Sequence, residues 1–347
     1  MRKGKMIIIF GVFFALLLIS GCASRAQSTQ QNREDDVQVY VLVTKAEGNT
    51  YNDLMAQGFQ KVIDEAGGNG IIASPAEATA EAQIEMLRDL IFQGVDSIAI
   101  AANDSDALSK VLQEAMAEGI KVSTVDSDVN FTDRQIFVNQ VSTETIARTL
   151  VEAVYDICGG SGQWAILSAT STATNQNAWI RAMRGVMEEE KYQDLRLVDI
   201  VYGNDESELS REMTEKLLEE YPDLKVICAP TSMGLKAVAE VVTEHPESEV
   251  RITGLGLPSD MAQYVVGDDP ICPYLFLWNP IDLGQMSAYV SLALVSGEIS
   301  GVKGEIFEAG SMGSFQVEEN ENGATEVIVA PPIRFDASNI EEWKDLF

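Results

Sequence analysis

The side chains best equipped for chemistry in this sequence are Lys45, Asn49, Tyr51, Asp126, Asn175, Gln176, Trp179, Pro230, Ser232, Trp278 and Asn279. Asp126 offers a carboxylate that accepts hydrogen bonds, Lys45 an ammonium that donates them, and the Asn and Gln amides do both. Tyr51, Trp179 and Trp278 bring flat apolar rings. One anion, one cation, several amides and some rings suit an uncharged, polyhydroxylated ligand. Its hydroxyls would pair with the polar groups, and a C–H face would lie on a ring.

The densest part of this set is Ala169–Trp179, ATSTATNQNAW, with seven neutral polar residues in a row of eleven. It follows an apolar run, Trp164–Ser168, and precedes Ala178–Val186, where apolar residues recur at helical spacing. A loop at the carboxyl end of a strand, opening on a helix N-terminus, is where open α/β sheets hold ligands. The plainer alternative is a Thr/Asn-rich helix cap, although one cap needs fewer polar groups.

Nucleophilic and metal chemistry are poorly provided for. His245 is the only histidine and sits in a polar helix end, so neither a Ser-His-Asp triad nor a His-rich metal site is expected. Asp126 and Asp128 are the one carboxylate pair that resembles glycosidase machinery. A turn is expected there, and no nucleophile–base pair accompanies it. No enzyme activity and no cofactor are therefore expected.

Elements to position these residues are legible along the chain. Strands are expected at Val37–Val43, Gly70–Ala73, Asp96–Ala101, Ile120–Val125 and Gln135–Val138, alternating with helices at Tyr51–Ala66, Ala80–Phe92 and Ser105–Ala117. A second series follows, with strands at Gln163–Leu167, Leu195–Tyr202, Lys225–Ala229, Val250–Thr253 and Pro273–Leu277. Its helices are expected at Thr143–Tyr155, Ala178–Glu189, Ser207–Glu220, Met233–Thr243 and Ser259–Val266. Strand–helix alternation of this kind builds doubly wound parallel sheets, and two series exceed one comfortable core. The helix Ile281–Val295 is apolar on most faces, which demands burial. A hairpin of Gly313–Val317 with Thr325–Val329 and a helix at Ile340–Phe347 close the chain. These chemical groups fall at the carboxyl ends of strands from both series, which would face each other across an interdomain cleft.

The chain opens with Met-Arg-Lys-Gly-Lys, runs apolar from Met6 to Ile19 and reaches Ser20-Gly21-Cys22. A basic start and a short apolar core make a secretory signal over 1–21, too short to span a bilayer. Leu18–Cys22 resembles the bacterial lipobox, so Cys22 is the expected lipidation site and 22–36 a polar tether. Removing 1–21 takes away three basic residues and no acid, moving the formal net charge from −30 to −33. Such acidity argues against nucleic-acid partners. Of the remaining cysteines, Cys158, Cys228 and Cys272, buried thiols are the default, with one disulfide the alternative in an exported chain.

Export signal, lipobox and two α/β series resemble the periplasmic sugar-binding proteins of ABC importers, of the ribose-binding-like type 1 class. Ala102–Leu108, Thr124–Asp128, Ser168–Trp179, Thr253–Ala262 and Leu277–Gly284 are similar to the rhamnose-binding branch. The resemblance covers 37–347. It is also close to autoinducer-2 receptors of the Lsr type, whose ligand contacts match Lys45, Asp126, Gln176 and Pro230. Those receptors typically carry aspartate where this chain has Asn175 and alanine where it has Ser232, and both departures favour a rhamnose-type ligand.

The resemblance implies two parallel-sheet lobes joined by a three-stranded hinge. The first lobe would be 37–139 with 281–308, and the second 140–280 with 309–347. Crossovers would lie near Asn139, near Asn279 and within Gly301–Gly313. It further implies a monomeric receptor, lipid-anchored outside the cytoplasm, that closes on a sugar and docks on a permease with its ATPase. A LacI-type regulator shares the fold but needs a basic DNA-binding N-terminus. A lipid-anchored sugar sensor presenting ligand to a signalling partner is the third reading.

Overall fold

The computed structural model describes residues 37–320 and 322–347. The expected signal segment, Cys22 and the tether lie outside the described residues. The first series runs β1 (Val39–Val43), α1 (Thr50–Glu65), β2 (Asn69–Ala73), α2 (Ala80–Gln93), β3 (Ser97–Ile100), α3 (Ser109–Ala117), β4 (Lys121–Val125) and β5 (Ile136–Asn139). The second comprises α4 (Thr143–Ile157), β6 (Gly162–Ser168), α5 (Thr174–Val186), β7 (Leu195–Tyr202), α6 (Ser207–Glu220), β8 (Leu224–Ala229), α7 (Ser232–Glu244), β9 (Arg251–Gly254), α8 (Pro258–Val265) and β10 (Tyr274–Leu277). The last part holds α9 (Pro280–Ser296), β11 (Ile306–Glu308), β12 (Ser314–Gln316), β13 (Glu318–Glu319), β14 (Thr325–Ile328), β15 (Ile333–Asp336) and α10 (Ile340–Trp343).

Two sheets result. The first has the order β13-β14-β5-β4-β3-β1-β2, parallel except at β13, and the second is the parallel set β7-β6-β8-β9. A parallel bridge from Leu255 to Phe276 continues the second sheet into β10, to which β15 pairs antiparallel.

Period-2 alternation explains the layering of the first sheet. In β1, Tyr40 and Leu42 join the core beneath α1 and α9, while Val41 and Val43 join a separate core beneath α2 and α3. Both faces are covered, which is why these strands read as continuous apolar runs. The apolar helix expected at Ile281–Val295 is α9, lying against α1 and over β4. The two helices touch backbone to backbone: a Cβ on Gly284 would overlap the carbonyl of Met55, and one on Gly58 that of Ile281. Only glycine permits that approach.

The tail departs from expectation. Ser314–Gln316 pairs with Ile306–Glu308, and Thr325–Ile328 lies parallel beside β5 in the first sheet. The segment 309–328 therefore belongs with the first sheet rather than the second. The chain passes between the sheets after Asn139, at Asn279–Pro280, and at 329–332 rather than within Gly301–Gly313. Strands of two to four residues carry too little periodicity to reveal partners some 190 positions away (Thr325 bonds Gln135). The closing helix is also shorter than expected, ending at Trp343.

Cys158, Cys228 and Cys272 are free and buried. Burial pushes the Cys158 thiol up to about 11 and the Cys228 thiol up to about 12. These are the inert structural thiols expected by default.

Candidate functional site

The carboxyl ends of the two sheets meet around a cavity of about 50 Å³. Ten of the eleven expected side chains line it: Lys45, Asn49, Tyr51, Asp126, Asn175, Gln176, Trp179, Pro230, Ser232 and Trp278. Asn279 does not. Its Oδ1 accepts the Ile281 amide at 3.0 Å and caps α9, whose first helical residue is Pro280. An Asn ahead of proline at the first helical position is a helix-start signature.

The first-sheet side is charged. Lys45 follows β1, and its backbone is fixed from behind, because Asn103 Nδ2 donates to the Lys45 carbonyl at 2.9 Å. Gln83, fully buried, donates to the carbonyls of both Thr44 and Ala101 and accepts the Asn103 amide. Asp126 follows β4 with φ +62°, a left-handed conformation uncommon for a residue with a side chain. The Ser127 amide donates to Val125 O at 2.6 Å, closing a three-residue turn with Asp126 at its centre. Backbone strain of this kind costs about 1–3 kcal/mol and clusters at binding sites.

The turn aims the Asp126 carboxylate into the cavity. Oδ1 accepts from Tyr51 Oη at 3.0 Å; Oδ2 accepts from Asn175 Nδ2 at 3.1 Å and lies 3.0 Å from Lys45 Nζ. Trp278 Nε1 donates to Tyr51 Oη at 2.7 Å. Burial, and then the neighbouring Asp126 charge, hold the Tyr51 phenol well above its ordinary value. It remains a neutral donor at any physiological pH. Tyr51, Trp278 and Trp179 stack edge-to-face in sequence, with centroids 6.3 and 6.1 Å apart.

The second-sheet side is mostly neutral. The helix begins earlier than expected, at Thr174, so Asn175 and Gln176 lie in its first turn rather than in the preceding loop. Ala173 makes no side-chain cap; instead Asn175 Oδ1 accepts the Gln176 amide at 2.9 Å. Gln176 Oε1 accepts from the Ala169 amide and Ser168 Oγ, both at 2.7 Å, which ties the helix start to β6. Lys45 Nζ also donates to Asn175 Oδ1 at 3.3 Å, so Lys45, Asp126 and Asn175 form a closed polar triangle between the sheets.

Five lining residues were not anticipated: Asn52, Asp205, Thr231, Leu255 and Leu277. Asp205, after β7, has φ +55° and follows Asn204 at φ +54°. Its backbone is partly exposed while its carboxyl reaches the cavity, where Thr231 Oγ1 donates to it at 2.5 Å. Burial raises its pKa, against lowering by Thr231 and Lys45. The strand-end rule that singled out the other junctions applies equally at Tyr202-Gly203-Asn204-Asp205.

Asp128 is absent from the cavity lining. Its carboxylate is taken by Arg134 Nε at 2.7 Å and Nη2 at 2.5 Å, and by Thr124 Oγ1 at 2.5 Å. Asp126 thus has no carboxylate partner on its own strand, and the glycosidase-like pairing is not formed. Among the described residues no group of His, Cys, Asp and Glu is arranged to hold a metal ion.

Two parallel sheets with a polar, ring-lined cavity between their carboxyl ends make the architecture of a solute-binding protein. The chain belongs to the periplasmic binding protein family, whose domain matches residues 40–299. It is similar to an ABC transporter solute-binding protein from Clostridium phytofermentas with bound L-rhamnose: 46% identity, 90% of this chain and 99% of that one, TM-score 0.88. LsrB from Clostridium saccharobutylicum in complex with AI-2 shares the fold at 24% identity, covering 88% of this chain and 99% of that one, TM-score 0.82. The D-ribose/D-allose-binding protein of Pseudomonas aeruginosa is 26% identical over 186 residues, 51% of this chain and 57% of that protein. The match thus spans little more than half the length of that relative.

Proposed function

We propose that this chain is the substrate-binding component of an ABC importer, that it captures a neutral deoxy sugar, and that the sugar is rhamnose. The observation that carries the reading is the triangle of Lys45, Asp126 and Asn175, held between the sheets with rings on one side. These groups satisfy one another in the closed cavity, and a sugar's hydroxyls would replace the mutual contacts one for one. Charge-assisted bonds from hydroxyls to Asp126 would be the strongest of these, while Trp179, Trp278 and Tyr51 face the apolar side and the methyl. The 46% identity to a rhamnose-bound protein supports the same ligand.

The lobes in this reading are 38–139 with 281–328, and 140–280 with 333–347. They close about the three crossings when sugar bridges Asp126 and Asn175. Cleavage before Cys22 and lipidation there would tether the receptor outside the cytoplasm, where a permease with its ATPase would receive the sugar. Cys22→Ser should release it from the membrane fraction or leave its precursor uncleaved.

Calorimetric titration with L-rhamnose and with autoinducer-2 tests the ligand. Wild-type protein should bind the sugar and leave it chemically unchanged. Asn175→Asp places a second carboxylate beside Asp126 and should weaken rhamnose while favouring autoinducer-2. Tight autoinducer-2 binding by the wild type, with no response to rhamnose, would overturn the assignment.

A further inference from the structure

Arg134 lies outside the cavity, yet its side chain is only 1% exposed and fully engaged. Nε and Nη2 grip both oxygens of Asp128 at 2.7 and 2.5 Å, and Nη1 donates to the carbonyl of Thr325 at 2.7 Å. Asp128 accepts in addition from Thr124 Oγ1 and from the Val129 amide. Ser127 is pinned on the other side, its Oγ donating to Ala102 O at 2.8 Å. The left-handed turn at Asp126 is therefore held two residues downstream by a bidentate ion pair whose guanidinium is buried and whose carboxylate is partly exposed. That pair ends on β14, the strand that leads into the last crossing between the sheets.

We infer that Arg134 is a positioning residue for the ligand-binding carboxylate. By holding Asp128 against β14, it keeps Asp126 in its strained turn and couples that turn to the chain segment about which the sheets would move. A planar guanidinium does this where an ammonium cannot, because two parallel donors fix the carboxylate plane while a third reaches the strand. The strain at Asp126 persists only while its surroundings over-determine it. Losing the clamp lets the turn relax and misaims the carboxylate. The inference rests on Asp126 being a ligand contact.

The test compares Arg134→Gln and Arg134→Lys in wild-type and Asp126→Ala backgrounds. One measurement is titration with L-rhamnose; the other is hydrogen–deuterium exchange of the ligand-free protein over residues 124–130. Arg134→Gln should weaken rhamnose about tenfold, and Arg134→Lys should recover only part of the loss. In the Asp126→Ala background neither should matter, since the group being positioned is gone. Exchange over 124–130 should quicken in both single variants, with β1 and β3 unchanged. If Arg134→Gln does not fold, the lysine variant alone carries both measurements.

Unchanged exchange at the turn, or an affinity loss that persists in full without Asp126, would overturn the inference and leave Arg134 as a brace for β14. A wild type that does not bind rhamnose would defeat the functional reading instead, while the exchange measurement still decides the clamp.

Discussion

The two sides of the cavity are built on different principles. On the first-sheet side, Lys45 is braced by Asn103 and Gln83, and Asp126 sits in a strained, pinned turn. Beneath them α1 and α9 touch with no room for a methyl group. On the second-sheet side, Asn175 and Gln176 lie in an uncapped helix turn, Thr170–Thr172 are partly or fully exposed, and a Cβ on Gly185 would meet open space. The contrast teaches a division of labour: charges are braced by buried side chains on one side, and neutral amides meet them from a helix start tied to β6 on the other. Holding the charged groups in advance avoids an ordering cost at the moment of binding, while the amides accept whichever hydroxyl orientation is presented.

The largest expected effect tests the rigid side. Gly284→Val forces α9 off α1 and should cost about 3 kcal/mol, read as a fall in Tm. An unchanged Tm would mean that the close crossing is not needed. Asp126→Ala should come next, costing about 1.5–3 kcal/mol of sugar affinity, roughly tenfold to hundredfold, with little loss of Tm because backbone strain is relieved little by alanine at positive φ. A variant that binds as tightly as wild type would remove the charged side from the binding account.

A smaller effect is expected at Asp205, the one carboxylate on the amide side. Its pKa is raised, so the folded chain holds that proton more tightly than the unfolded chain. The resulting stability penalty is present at neutral pH and is relieved as pH falls through the raised value toward the ordinary aspartate range. Asp205→Asn should therefore raise Tm slightly at pH 7, and the gain should vanish near pH 3. A gain independent of pH would point to another cause. The smallest effect, with the opposite sign from Gly284, is Gly185→Ala. Its Cβ has free space inside α5, so about 0.5–1 kcal/mol of stabilisation is expected with affinity unchanged. A loss would show that α5 is more confined than its neighbours imply.

Much of this arrangement was legible in the sequence, for identifiable reasons. Strands buried on both faces announce themselves as apolar runs, and polar residues at their carboxyl ends are conspicuous by contrast, which is how Lys45, Asp126 and Asn175 stood out together, while Pro230 was pointed to by the family resemblance. Asp205 escaped because Gly-Asn-Asp-Glu reads as an ordinary turn, and Asn52 because it lies inside a helix. Asn279, a polar residue that ends a strand run, is at the same time the cap of the helix after it. The last crossing was misplaced because β14 is held by β5, a partner distant in sequence, and the short strands β11 to β14 carry almost no pattern of their own. Nothing in Arg134 as a letter suggests that it grips Asp128, since that pairing depends on β4 and β14 both lying against β5.

The three buried thiols have a practical side. Cys158 and Cys228 hold their protons far above neutral pH, Cys272 is equally enclosed, and none is paired. Alkylating reagents that attack the thiolate will pass them by in the folded protein. A single cysteine introduced at exposed Thr172, on the cavity's outer rim, would be the only reactive thiol among the described residues. A polarity-sensitive dye attached there would report closure as a colour or intensity change, turning the receptor into an optical gauge of its own ligand without removing any native cysteine.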